Sequence, residues 1–275
     1  TVIVIAILGW LASLLVPPAP SATPDLKVNT NIATSTWELL RYARTQKGVF
    51  RSILGISWFW LIGAFWLMLV PAYVKDHLFP GAIEETPAAR IAIQVFLLTF
   101  ALGIGVGSFL CSKLLRGAIS AKYVPLAGLG ISLFMADAAW LTHALGDRYA
   151  TETFALLSAT GIRLIVDLGG IAICGGLFTG PLYTMMQAWA EPAYRSRVIA
   201  AGNVMSSLFM TLVAVITGGL FAVGMSTEAV IALIAAGNVI VSLYVITLVP
   251  ESVIHTFLRW ILRLHHLNDD ELTRS

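Results

Sequence analysis

Long apolar runs separated by short polar links are the main pattern of this 275-residue chain. About 20 apolar residues in a helix cross the hydrocarbon core of a bilayer, so each run predicts one membrane-spanning helix. None of the runs alternates apolar and polar positions as the strands of a membrane barrel do. The six runs occupy residues 52–74, 90–111, 123–143, 154–186, 198–223 and 229–249. The fourth exceeds one crossing, so we expect its first part to lie outside the hydrocarbon or its helix to tilt.

The regions outside these runs divide the chain further. Residues 1–16 are apolar but shorter than a full crossing, and they lack the basic start and the cleavage site of a signal peptide. We interpret them as part of a preceding membrane helix. Residues 17–50 form a polar connecting loop, residues 51–250 carry the six spans, and residues 251–275 predict an amphipathic helix with a polar tail.

A short amphipathic helix is predicted within the connecting loop. Ser35 followed by Glu38 has the spacing of a capping box at a helix start. Arg41, Arg44 and Lys47 would lie near anionic lipid head groups if this helix rests on the membrane surface. The predicted apolar side consists of Leu39, Leu40, Tyr42 and Ala43.

Composition supports a membrane protein and excludes other classes. Hydrophobic residues make up 58% and charged residues only 12% of the chain, whereas soluble domains are about 25% charged. The net charge of +2 is too small to favour nucleic-acid binding. Cys111 and Cys174 lie in apolar runs, so we interpret them as packing residues rather than a disulfide.

The basic residues are concentrated in alternate links between the runs. One set of links contains Lys27, Arg41, Arg44, Lys47, Arg51, Lys113, Arg116, Lys122, Arg195, Arg197, Arg259 and Arg263. The other set contains only Lys75, Arg90 and Arg148, beside several acids. Lys-rich and Arg-rich links stay in the cytoplasm, so the first set and the C-terminus are predicted to be cytoplasmic.

The stretch 175–210 organises the rest of the chain. A glycine-rich apolar helix is predicted to break at Gly180 and Pro181, either as a simple kink or as a kink that also gates a substrate path. Gln187 and Asn203 flank the following turn and are expected to tie its two helices together. The turn itself carries Glu191, Arg195 and Arg197, which either set topology and attract anionic lipid or form an ionic latch.

This stretch resembles the lysophospholipid transporter branch of the major facilitator superfamily, including members fused to an acyltransferase. The matching positions are Gly175, Gly176, Pro181, Gln187, Glu191, Arg195, Arg197, Val198, Ile199, Ala200, Ala201 and Asn203. The resemblance implies an all-α fold in which the chain is part of helix 6, the central loop and helices 7 to 12. It also implies alternating access against a missing N-terminal six-helix half, which would be the main partner.

Three charged residues within the spans are candidate site residues, because ionised groups are costly in a membrane and need partners. Arg163 and Asp167 are four residues apart on one helix and can pair, while Asp137 is expected at a similar depth. One hypothesis is a structural ion pair. The other, which follows from the resemblance, makes Arg163 the cation that meets a lysophospholipid phosphate, with Asp167 or Asp137 holding it.

Two further patterns have alternative explanations. Phe59, Gly63, Trp66 and Val70 recur at helical spacing, as either an apolar wall for a lipid tail or ordinary packing. Glycines within the spans indicate close helix packing rather than a nucleotide-binding turn, because no strand precedes them. They are Gly103, Gly105, Gly107, Gly128, Gly130, Gly169 and Gly170.

The predicted function is therefore movement of lysophospholipids from the outer to the inner leaflet of the bacterial inner membrane. The alternatives are a drug or metabolite exporter of the same superfamily and a membrane anchor for a fused phospholipid acyltransferase. His143 with Asp147 and His265 with Asp270 are not convincing catalytic pairs, and no zinc cluster or phosphate loop is present in the sequence. We expect no enzymatic activity and no cofactor.

Overall fold

The computed structural model describes residues 2–17, 31–79, 86–145 and 158–248, and within these ranges the regular structure is entirely helical. The elements are α1 (Val2–Ser13), α2 (Ile32–Thr45), α3 (Lys47–Tyr73, continued by a π-helical turn Val74–Leu78), α4 (Pro87–Leu115), α5 (Val124–Leu145), α6 (Ala159–Trp189), α7 (Arg195–Ala222, preceded by a short 3-10 turn Pro192–Tyr194) and α8 (Thr227–Leu248). The expectations for the tail at 251–275, for the first residues of the fourth run and for part of the connecting loop lie outside the described residues.

Helices α3 to α8 are each long and apolar enough to cross a membrane, which confirms the prediction of an all-α polytopic membrane protein. The fourth span begins at Ala159, where the Ser158 hydroxyl accepts a hydrogen bond of 3.1 Å from the backbone N–H of Gly161. This is an ordinary N-cap, and it defines the start of the described helix.

Helix α6 is not interrupted at Gly180 and Pro181, and the predicted kink there stays a prediction. Helix α6 is continuous from Ala159 to Trp189, and Pro181 is buried within it. Proline removes one backbone hydrogen bond, but membrane helices tolerate it because neighbouring helices hold the chain in place. Here Leu182 packs near Gly55 of α3, and Gly176 lies against the backbone of α4 near Ile104.

The six spans associate in a definite set of pairs. Helix α3 runs beside α7 in the same direction, with the hydroxyls of Ser57 and Ser206 3.3 Å apart. Helix α4 runs beside α6 in the same direction, and α5 runs antiparallel to α8. Helices α3 and α6 pack against each other at the centre of the bundle, where Phe59 lies against Gly175.

Glycines explain the close approach of α4 to α6, as expected. A methyl group on Gly107 would lie only 2.0 Å from the carbonyl oxygen of Ile173, and one on Gly176 would lie 2.4 Å from that of Ile104. Gly103 is similarly tight against Ala172. Gly105 is the exception, because nothing lies within 4 Å of its added methyl group. The packing explanation was therefore wrong for Gly105.

A buried amide connects three spans. Asn238 of α8 is 1% exposed, and its Nδ2 donates to the carbonyl oxygen of Gly128 at 2.7 Å and to the hydroxyl of Ser132 at 2.8 Å. Its Oδ1 accepts a hydrogen bond of 2.9 Å from the indole N–H of Trp58. This network joins α3, α5 and α8 through hydrogen bonds that replace water in an apolar interior.

The amphipathic helix in the connecting loop is present as α2, but its N-cap differs from the prediction. The Asn31 side chain accepts a hydrogen bond of 3.2 Å from the backbone N–H of Thr34, so Asn31 rather than Ser35 caps the helix. Ala43 is fully buried, whereas Arg41 and Arg44 are exposed, as the pattern predicted. Helix α2 packs against α3 and α7.

Because consecutive spans run in opposite directions, α2, the α4–α5 link and the α6–α7 turn lie at one end of the bundle. This end, called the basic end below, carries Arg41, Arg44, Lys113, Arg116, Lys122, Arg195 and Arg197. The α3–α4, α5–α6 and α7–α8 links lie at the other end, called the opposite end.

Candidate functional site

A charged cluster lies between α5 and α6, toward the opposite end of the bundle. Arg163 binds Asp137 with two hydrogen bonds: its Nε donates to Oδ2 at 2.9 Å, and its Nη2 donates to Oδ1. Both side chains are nearly 40% exposed, so the pair lies at the surface of the described bundle. Of the two acids predicted to hold Arg163, Asp137 of α5 forms the ion pair, and no ion pair with Asp167 of α6 occurs in the described residues.

Asp167 is the buried member of the cluster. It is only 2% exposed, and its Oδ2 atom has no hydrogen-bond donor among the described residues. The carboxyl groups of Asp167 and Asp137 approach each other closely enough to interact, and Arg163 is the cation that faces them both. Two acids thus share one arginine, an arrangement that is costly in a membrane and typical of functional sites.

Polar groups of α3 and α5 come close to this acid. Tyr73 of α3 is buried and electrostatically coupled to Asp167, and its hydroxyl lies 3.1 Å from that of Thr142. The indole N–H of Trp66 is also buried without an acceptor in the described part of the chain. The antiparallel register of α3 against α6 places Trp66 at about the depth of Leu168, so the bundle interior has two unpaired polar atoms at this level.

Trp140 is a site residue that the sequence analysis missed. The guanidinium carbon of Arg163 lies 4.6 Å from the centre of its ring, and the ring is 57% exposed. A cation over an indole face at this distance is favourable. Trp140 is three residues after Asp137, so helical spacing already placed both on one face of α5.

The predicted stripe on α3 lies inside the bundle. Phe59, Trp66 and Val70 are at most 5% exposed, and Gly63 is also buried. Phe59 fills the space over Gly175, where an added methyl group would be 2.3 Å from the ring. Packing between α3 and α6 therefore accounts for Phe59, and no open apolar wall is formed by it.

The residues of the α6–α7 turn have specific local contacts. The Nε of Arg195 donates to the backbone oxygen of Gln187 at 2.9 Å, so the two ends of the turn are joined, while a tie through the Gln187 side chain stays a prediction. Arg197 lies 5.2 Å from the ring centre of Tyr194. Asn203 is exposed on α7, and its expected tie to α6 stays a prediction.

Glu191 faces α2 rather than the arginines of its own turn. No ion pair joins it to Arg195 or Arg197 in the ranges that the structure describes. Instead it lies near the hydroxyl of Tyr42, whose ring stacks on that of Tyr194 at a centroid distance of 4.3 Å. Burial together with the nearby Glu191 carboxylate raises the pKa of Tyr42, so the phenol stays protonated at physiological pH.

The chemistry available to the α5–α6 cluster is ionic. The described residues contain no group of three or more side chains suited to holding a metal ion. Both cysteines are free. With Nε and Nη2 held by Asp137, the Nη1 of Arg163 remains to bind an anion, and Asp167 offers a buried carboxyl group. Comparisons of the chain with family models, with curated proteins and with solved structures found no match.

Proposed function

We propose that the chain is the C-terminal six-helix half of a major facilitator transporter that moves lysophospholipids by alternating access. The observation that carries this proposal is the pairing of the spans. The pairing can be compared under an operation that exchanges α3 with α6, α4 with α7 and α5 with α8. The α3–α7 pair then becomes the α6–α4 pair, and the α5–α8 and α3–α6 pairs become themselves, whereas the close α5–α6 pair has no equally close α8–α3 counterpart.

The directions of the helices obey the same exchange. The two interchanged pairs are both parallel, and the two self-related pairs are both antiparallel, as the alternating direction of consecutive spans requires. Two three-helix units with opposite orientation in the membrane produce this relation, and such inverted repeats are a recurrent feature of secondary transporters. A membrane anchor does not require inverted repeats, so the pairing favours transport over anchoring.

The exposed surfaces of α4 and α7 are consistent with a second half that is absent from the chain. The two helices are exchanged by the same operation, and both bury little of their surface: α7 has 17% and α4 has 28% of its span buried, the same share as α8. Asn203, Ser207 and Thr211 form an exposed polar stripe on α7, and Gln94, Ser108 and Ser112 are exposed on α4. Such faces suit a partner bundle or a water-filled path better than lipid tails.

The substrate class rests on the resemblance of the 175–210 stretch together with the charged cluster. A lysophospholipid has an anionic phosphate and one acyl chain, and Arg163 supplies an available donor for the phosphate. The basic end is proposed to face the cytoplasm of a bacterium. The charged cluster between α5 and α6 would then lie in the outer half of the membrane. A fused or associated acyltransferase would then act on the delivered lipid.

The test is transport by the full-length protein in vesicles. Fluorescent lysophosphatidylethanolamine is added outside, and the fraction protected from extraction by external albumin is followed in time. We expect transport by the wild type, loss of most transport in Arg163→Ala, and normal transport in the control Lys113→Ala at the basic end. Absence of wild-type transport would remove the lysophospholipid assignment and favour an exporter of other solutes. Normal transport in Arg163→Ala would make the cluster purely structural.

A further inference from the structure

An open groove of about 540 Å³ lies between α5 and α8 on the side of the bundle. The stretch of α8 that lines it, from Glu228 to Val239, is about 16 Å long at 1.5 Å per residue. This is about half of the roughly 30 Å hydrocarbon core, which is the depth of one leaflet. Its walls are mostly small side chains: Ala136, Ala139, Ala232, Ala235 and Ala236.

Charged and aromatic groups are found at only one end of this groove. Glu228 and His143 line it there and lie close enough to interact. Trp140 also lines this end, and Arg163 lies over its ring. An apolar groove with charges at one end matches an amphiphile whose head lies at the membrane surface and whose chain points to the midplane.

The charges at that end have both signs. Arg163 keeps its Nη1 for an anion because Asp137 holds the other side of the guanidinium. Glu228 supplies a carboxylate in the first turn of α8. A head group with one phosphate and one ammonium would complement both residues, whereas an anionic head group without the ammonium would leave Glu228 opposed by like charge.

We propose that this groove binds the acyl chain of a zwitterionic phospholipid with a primary ammonium, with its phosphate at Arg163 and its ammonium at Glu228. The inference rests on the proposed function for the orientation of the bundle. It adds to that function a lateral binding site for the substrate class, between α5 and α8.

A second copy of the chain is a poorer occupant of the groove. Two copies in one membrane share the same orientation, so the twofold axis of a dimer runs along the membrane normal and brings identical residues together at equal depth. Glu228 would then lie near the Glu228 of the other copy. The exposed rings and charges at this end of the groove would also lose their contact with water or head groups.

The experiment is photocrosslinking with the full-length protein. The protein is reconstituted in vesicles of equal parts phosphatidylethanolamine and phosphatidylglycerol, with a trace of either lipid carrying a diazirine in its acyl chain. Labelled peptides are mapped by mass spectrometry. We expect the ethanolamine probe to label residues 132–143 and 228–239 above other exposed surfaces. We expect Ala232→Phe to reduce this labelling about tenfold, the change produced by about 1.4 kcal/mol of lost affinity.

Leu233→Phe is the matched control, because Leu233 is adjacent on α8 and 46% exposed but does not line the groove. It should label like the wild type. Glu228→Gln should abolish the preference for the ethanolamine over the glycerol probe. If Ala232→Phe fails to fold, this loss of head-group preference is the test of the groove. Equal labelling of all exposed surfaces or normal labelling of Ala232→Phe would overturn the proposal. Specific labelling without transport would leave the groove standing and remove only the transport function.

Discussion

At the scale of single residues, the fold depends on polar side chains that find partners away from water. Asn238 is the main example, because both ends of its amide are bonded within the bundle interior. An aliphatic side chain of similar size would leave the indole N–H of Trp58 and the hydroxyl of Ser132 short of a partner. Unpaired polar groups are expensive in an apolar medium, so this position is more sensitive than its neighbours.

We predict that Asn238→Leu lowers the free energy of unfolding by about 1–2 kcal/mol, the range for hydrogen bonds between membrane helices. The measurement is equilibrium unfolding of the purified protein in mixed detergent micelles. Thr184→Leu is the control, since Thr184 is exposed on α6 and its hydroxyl bonds the carbonyl oxygen of Gly180 in the same helix, and its effect should stay within about 0.5 kcal/mol. Equal losses in both variants would mean that the Asn238 network adds no specific stability.

The candidate site was only partly predictable at this scale. Sequence spacing identified Arg163, Asp167 and Asp137 as members of one group, because ionised residues in apolar runs need each other. It left Asp167 and Asp137 both open as the partner of Arg163, since spacing reports neighbours on one helix, whereas the Arg163–Asp137 pair depends on how α5 lies against α6. The burial of Asp167 follows from that same packing and could not be read from the pattern.

At the scale of helices, small residues decide which spans come close together. Gly107 and Gly105 of α4 are two residues apart, yet one faces the backbone of α6 and the other faces open space. The apolar pattern does not separate them, because both lie in the same run. Only the rotation of α4 about its axis distinguishes them, and that rotation is set by tertiary packing.

This pair gives a direct test of the α4–α6 contact. Gly107→Ala should lower stability by about 1–3 kcal/mol, because the new methyl group collides with the backbone at Ile173 and the helices must separate. Gly105→Ala should leave stability unchanged or raise it by up to about 1 kcal/mol through better helix propensity. Thermal unfolding in the same detergent measures the stability of both variants. A larger loss of stability in Gly105→Ala than in Gly107→Ala would show that α4 packs against α6 through a different face.

Helix α2 offers a second test at this scale. Its Tyr42 stacks on Tyr194 and lies near Glu191, so it joins the connecting loop to the α6–α7 turn. Tyr42→Ala should release α2 and increase amide hydrogen exchange across residues 32–45, since aromatic pairs contribute about 0.5–1.5 kcal/mol. Trp37→Ala, at a position that is 62% exposed, should leave exchange unchanged. Unchanged hydrogen exchange in Tyr42→Ala would show that contacts other than those of Tyr42 hold α2 against the bundle.

Helix boundaries show what local sequence can and cannot decide. The amphipathic side of α2 was predicted correctly, but its cap was assigned to Ser35 on the strength of the spacing to Glu38. Asn31, an equally good capping residue, begins the helix one turn earlier. Pro181 was expected to break α6, and its burial among packed helices keeps the helix continuous instead.

At the scale of the whole molecule, the number of spans was predictable because bilayer thickness fixes the length of an apolar helix. The pairing of those spans was not, since every run is apolar on most sides and spacing alone does not say which helices meet. The partial inverted relation between α3–α5 and α6–α8 is visible only in the packing, and the proposal of a transporter half rests mainly on it.

The central claim is that the spans cross a membrane with the basic end and the opposite end on different sides. The most direct measurement uses the full-length protein with Cys111 and Cys174 replaced by alanine, carrying a single new cysteine at Asp76 or at Ala193. A membrane-impermeant maleimide should label Asp76→Cys in intact cells and Ala193→Cys only after the membrane is opened. Labelling of both positions from the same side would contradict the account.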